Sequence, residues 1–133
     1  MRADETRRQD ALAWLARAEL DLRAARYEVK EPSEQLSGEV MFHAQRAAEK
    51  ALKAFLAWHD VAFRKTHNLD ELGHQCASVE AAMGPVASLA APLTEYAWRF
   101  RYPGEPAEPT RAEAEAALET AQAVYAAVTA RVR

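Results

Sequence analysis

Gln45, Glu49 and Lys53 recur at four-residue steps within VMFHAQRAAEKALKAFLAW, Val40 to Trp58. At roughly 100° per residue, a helix stacks these three polar side chains one above another. Glu49 and Lys53 then make an i,i+4 pair, worth about 0.2–0.5 kcal/mol on a helix surface. In a row, a carboxamide, a carboxylate and an ammonium can bind the polar edge of a ligand or hold a neighbouring arginine in place. His67 follows Arg64 and Lys65, and a histidine beside a suitable partner can move protons near neutral pH. Arg99, Arg101 and Tyr102 crowd against Pro103. Arginine grips phosphate with two parallel N–H groups, and a phenol ring stacks on a base. Each feature also has a plain structural reading: a surface ladder, a helix-start histidine and a solvated loop with paired arginines.

Other chemistry is excluded. His43, His59, His67 and His74 show no HExxH or other metal-ligand spacing, so no metal is expected. No phosphate-cradling glycine loop and no GxSxG elbow occur, so no cofactor is expected. Cys76 is the only cysteine, which rules out an intrachain disulfide; it packs as a small hydrophobe.

The elements that must position these groups are helices. The chain has 133 residues, half of them apolar, four glycines and no isoleucine. Alanine dominates the apolar set and is the strongest helix former. The pattern predicts one all-α domain over 1–133, an up-down antiparallel bundle of about five helices. The first spans about Asp4 to Val29, with Leu12, Leu15, Ala16, Leu22 and Ala25 inward. The central one spans Val40 to Trp58, with Met41, Ala44, Ala48, Ala51, Leu52, Phe55 and Leu56 inward and Gln45 and Glu49 at the rim of that arc. A third runs from Leu69 to Met83, capped by Thr66 or Asn68 and ended by Gly84-Pro85. A fourth runs from Val86 to Phe100, kinked or broken at Pro92. RYPGEPAEP, Arg101 to Pro109, is a stiff irregular loop. The last helix runs from Thr110 to Arg131 with a capping box from Thr110 to Glu113.

A net charge of −3 and a pI near 5.8 give no whole-surface attraction to nucleic acid, though a local basic patch is compatible with them. No apolar run is long enough to span a membrane. The start, MRADETRRQD, lacks the apolar stretch of a secretory signal, so the expected compartment is the cytoplasm.

Three pieces follow one another in order: FHAQRAAEKALKAFL (Phe42 to Leu56), THNLDEL (Thr66 to Leu72) and LTEYAWRFRYP (Leu93 to Pro103). They come after a helix of the type ALAWLARAELDLRAARY. Together they resemble the HEPN family, small helical domains named for higher eukaryotes and prokaryotes nucleotide-binding, and its RYP-type branch in particular. The resemblance implies an up-down bundle with a short extra helix, usually a homodimer. It also implies a minimal nucleotidyltransferase as partner, in a toxin–antitoxin-like module. Many members are metal-independent ribonucleases whose signature is an arginine followed four to six residues later by a histidine. Here no histidine follows Arg99 or Arg101, since the last one is His74.

The leading expectation is therefore a dimer that binds a nucleotide or RNA phosphate, with no catalytic residue assigned. The cleft would be lined by Arg101, Tyr102, Arg99, Gln45, Glu49, Lys53 and His67. Arg101 would take the phosphate and Tyr102 would stack. The alternatives are a degenerate ribonuclease using His67, and a structural module in which Glu49 and Arg101 form a buried ion network.

Overall fold

The computed structural model describes residues 4–99, 103 and 108–132, and all regular structure among them is helical. Five α-helices appear: α1 (Asp4–Glu28), α2 (Ser37–Trp58), α3 (Leu69–Val79), α4 (Gly84–Ala90) and α5 (Arg111–Thr129). Two 3-10 turns, Ala81–Met83 and Ala91–Ala97, flank α4.

Helix α2 is the hub, packing most heavily against α1 and α5. Its side-chain ties give the directions. His43 meets Glu28 at 2.7 Å and Lys50 meets Asp21 at 2.7 Å, so α1 and α2 run antiparallel. Arg131 at the end of α5 bonds Glu80 ahead of α4, while Tyr96 lines a groove with Met41 and Glu113 at the starts of α2 and α5. The α4 leg thus returns along α2, and α5 descends again. This is the expected up-down bundle, with α3 as the short additional helix.

The core uses alanine for close approach. Ala44, Ala47, Ala48, Ala51 and Ala54 of α2 are fully buried, among Leu22, Leu52, Phe55, Leu56, Leu72 and Val124. In α1 the inward set is Ala11, Leu15, Ala18, Leu22 and Ala25. Leu12 and Ala16, expected inside, lie one helical step round on the exposed side. The spacing of four then three residues keeps alanine at the crossing points, where a larger Leu12 would hold α2 away.

Local chemistry explains the boundaries. The Asn68 side chain accepts from the backbone N–H groups of Asp70 and Glu71 and so caps α3. Thr110 and Glu113 form the expected reciprocal capping box. Helix α2 begins at Ser37, ahead of the expected Val40, because Ser37 and Gly38 are buried against the bundle and Glu39 suits a helix N-terminus. The expected third and fourth helices are redrawn. Glu80 turns extended, at φ −142°, and ends α3 at Val79. Gly84-Pro85 then opens α4 instead of closing α3, because proline in a first turn leaves no helical bond unmade. The break expected at Pro92 is present: α4 stops at Ala90 and a 3-10 turn takes over.

Candidate functional site

Four of the expected residues converge where the loop before α3 crosses α2. Gln45 donates through Nε2 to the His67 carbonyl at 3.0 Å and to Glu49 Oε1 at 3.2 Å. Lys53 Nζ donates to Glu49 Oε2 at 2.9 Å. His67 Nδ1 lies 2.8 Å from Glu49 Oε1. Both carboxylate oxygens of Glu49 are therefore engaged by donors from α2 and from the loop.

The burial of these groups differs from the expectation. Gln45, Glu49 and Lys53 are 0%, 2% and 5% exposed, so all three are interior, where Gln45 and Glu49 were expected at the rim and Lys53 in a surface ladder. The reason is that α1, α3, α5 and the turn after α4 all pack on α2, so its polar edge is covered as well. The Glu49–Lys53 ladder forms as expected, but inside the protein. Lys53 also sits between two rings, with Nζ 5.3 Å from Trp14 and 5.8 Å from Phe63. Those rings meet edge to face at 5.9 Å. An ammonium so placed keeps favourable contact with the ring faces while withdrawn from water.

Electrostatics at Glu49 is a balance. Burial pushes its carboxyl upward, but hydrogen bonds from Lys53 and His67, with their charges, outweigh that and hold it below the ordinary 4.5. Glu49 is thus a carboxylate at neutral pH and can only accept, so Nδ1 of His67 carries the proton of that bond. Nε2 is the ring nitrogen not used in that bond.

Arg46, which the spacing did not single out, completes the cluster. Its Nη1 is 2.9 Å from His67 Nδ1, 3.3 Å from His67 Nε2 and 3.7 Å from Glu49 Oε1. A nitrogen so near both ring nitrogens lies against the imidazole, not on one lone pair. The Arg46 guanidinium also sits 5.1 Å from the Phe42 ring. The usable sequence signal was the i,i+3 step from Arg46 to Glu49. The Trp14 and Phe63 cage left no such signal, because its parts are distant in the chain.

The remaining expected residues are placed as follows. Arg99 pairs with Glu95 at 2.8 Å, one turn back. Arg101 and Tyr102 lie outside the described residues. The segment leading to them is tied to the cluster's side of the fold, since Thr94 Oγ1 accepts from the Leu69 N–H at 3.1 Å. Among the described residues no three His, Cys, Asp or Glu groups come together as a metal site would need.

The model of the HEPN domain family matches residues 11–131 of this chain. The chain belongs to the HEPN family. That match covers all five helices except the first residues of α1, and it takes in the whole Glu49 cluster. Neither the curated proteins nor the solved structures give a match. HEPN membership makes this a helical protein of nucleotide-binding or ribonuclease-like type. No helix is long and apolar enough to cross a membrane among the described residues.

Proposed function

We propose that this HEPN chain binds the phosphate of a nucleotide or RNA at the corner formed by His67 and Arg46, and does not cleave it. One observation supports this reading most: a half-exposed imidazole is held from beneath by a buried carboxylate and flanked by a guanidinium. The cluster carries Lys53 and Arg46 against Glu49, which leaves one positive charge before His67 is counted. Among the described residues the other N–H groups of Arg46 have no acceptor, and two parallel N–H donors suit a phosphate. Gln45, Glu49 and Lys53 are positioning residues on this reading, since no ligand reaches them. Arg101 and Tyr102, with Arg99, would extend the contact from the stiff loop. The absence of any histidine after Arg99 supports binding without cleavage. As a working context we place the chain as a homodimer beside a minimal nucleotidyltransferase in a toxin–antitoxin-like module, within the RYP-type branch.

Titration of ATP, GTP and a short RNA tests this. Wild type should bind saturably at low salt, and Arg46→Ala and Arg101→Ala should each weaken binding about tenfold, the loss of one charge-assisted contact of about 1.4 kcal/mol. Equal binding by all three proteins removes the proposal.

A second reading has its own support. The Glu49 bond leaves Nε2 of His67 free to take a proton from an RNA 2′-hydroxyl, which is the first step of cleavage. Incubation with total RNA decides between the two. Cleavage lost in His67→Ala would establish a ribonuclease, and inert wild type would remove that reading.

A further inference from the structure

We infer a second polyanion surface, remote in sequence from the His67 cluster, at the C-terminal end of α1. Arg23, Arg26, Tyr27 and Lys30 line a shallow groove of about 380 Å³. Their spacing of three, one and three residues puts all four on one side of the helix end. Tyr27 is 85% exposed, the most exposed large hydrophobic side chain described. Arg26 is fixed in place: Nε donates to Gln122 Oε1 of α5 at 3.0 Å and Nη1 donates to Glu19 Oε1 at 3.0 Å.

Two of the three cations of this groove are not held in ion pairs among the described residues. Glu19 offsets Arg26, but the other nearby carboxylates are occupied elsewhere. Asp21 holds Lys50, Glu28 holds His43, and Glu31 accepts from Ser33. Among the described residues neither Arg23 nor Lys30 has an ion-pair partner. Two free cations, about two helical turns apart, therefore bracket an uncovered aromatic ring.

That combination fits single-stranded nucleic acid. Arg23 and Lys30 would take successive stretches of the phosphate backbone, while Tyr27 stacks on a base between them. An acidic peptide would use the cations and leave the ring idle, so the exposed Tyr27 favours the nucleic acid. This inference does not rest on the His67 corner, and the two fail separately.

The test is fluorescence anisotropy of a short labelled oligoadenylate, in an Arg46→Ala/His67→Ala background that disables the other site. The starting protein should bind. Tyr27→Ala should weaken binding about tenfold and Tyr27→Phe should keep it within about twofold, since the ring does the stacking. Arg23→Ala and Lys30→Ala should each lower the salt dependence of log K by about one. A melting curve confirms that these surface variants fold. No binding by the starting protein, an unchanged Tyr27→Ala, or polyglutamate binding as tightly as the oligonucleotide would overturn the inference.

Discussion

His67 Nδ1 lies 2.8 Å from Glu49 Oε1, joining an exposed imidazole to a carboxylate that is 2% exposed. The loop before α3 is thereby held to the interior of α2 at a single polar point, and the Gln45 bond to the His67 carbonyl secures the same loop through its backbone. The orientation of the ring is set from inside the bundle rather than by solvent.

Glu49→Gln should be severely destabilising. It leaves the Lys53 ammonium buried without its counter-charge, and breaking a buried pair on one side costs about 3–5 kcal/mol. Replacing both members, as Glu49→Leu/Lys53→Met, should cost much less than either single change, because no charge remains to be desolvated. Urea denaturation of Glu49→Gln, Lys53→Met and the double variant measures this. Single variants within about 0.5 kcal/mol of wild type would show that the pair is not buried as described.

Acid should weaken the fold through the same carboxylate. Glu49 has a folded pKa below its unfolded value of about 4.5, so its stabilisation is complete above that value. It is lost as pH falls through the lower, folded value. Melting temperature followed from neutral pH downward should begin to drop near pH 4.5, and Glu49→Gln should lack that part of the fall. Parallel curves for the two proteins would contradict the assignment.

Gly73 in α3 and Gly84 at the start of α4 should respond unequally. A Cβ on Gly73 would stand 2.7 Å from the Ala87 Cβ, so Gly73→Ala forces α3 and α4 apart and should cost about 1–3 kcal/mol. Beyond its chain neighbours a Cβ on Gly84 meets nothing within 4 Å, but Gly84 holds αR backbone (φ −53°, ψ −51°) immediately before Pro85, where a Cβ meets the proline ring. Gly84→Ala should cost less than Gly73→Ala, because the helix-propensity gain of about 1 kcal/mol offsets the clash with the proline ring. Thermal denaturation distinguishes them.

The helical class and most of the core were legible from periodicity. Met41, Ala44, Ala48, Ala51, Leu52, Phe55 and Leu56 are all buried, as are Ala114, Ala117, Leu118, Ala121, Val124 and Val128 of α5, while Tyr125, expected on the same stripe, is only half-buried. The Thr110–Glu113 box was readable because a cap is a local event. What periodicity missed depends on neighbours distant in the chain. An arc pattern reports one face of α2, not how many elements cover it, so Gln45 and Glu49 looked like rim residues and Lys53 like a surface one. Leu12 looked inward because leucine outweighs alanine in any hydropathy count, whereas the α1–α2 crossing favours Ala11 and Ala18 for their size. Arg46 was not singled out because its partner, His67, lies across a loop.

Cys76 should be chemically silent in the native state. Burial pushes its thiol up to about 12, and its Sγ lies 3.7 Å from the Leu52 carbonyl. A thiol reagent at neutral pH should modify it only in unfolded protein, so the labelling rate reports opening of the α2–α3 interface. Fast labelling of the folded chain would contradict this burial.

The central claim, that His67 and Arg46 form the phosphate contact, is tested most directly by nitrogen-15 spectra of the histidine side chains during a nucleotide titration. The account predicts that the His67 ring signals move with added ATP while those of His59 and His74 stay fixed, and that Arg46→Ala abolishes the movement. Saturable nucleotide binding with the His67 signals unmoved would contradict it.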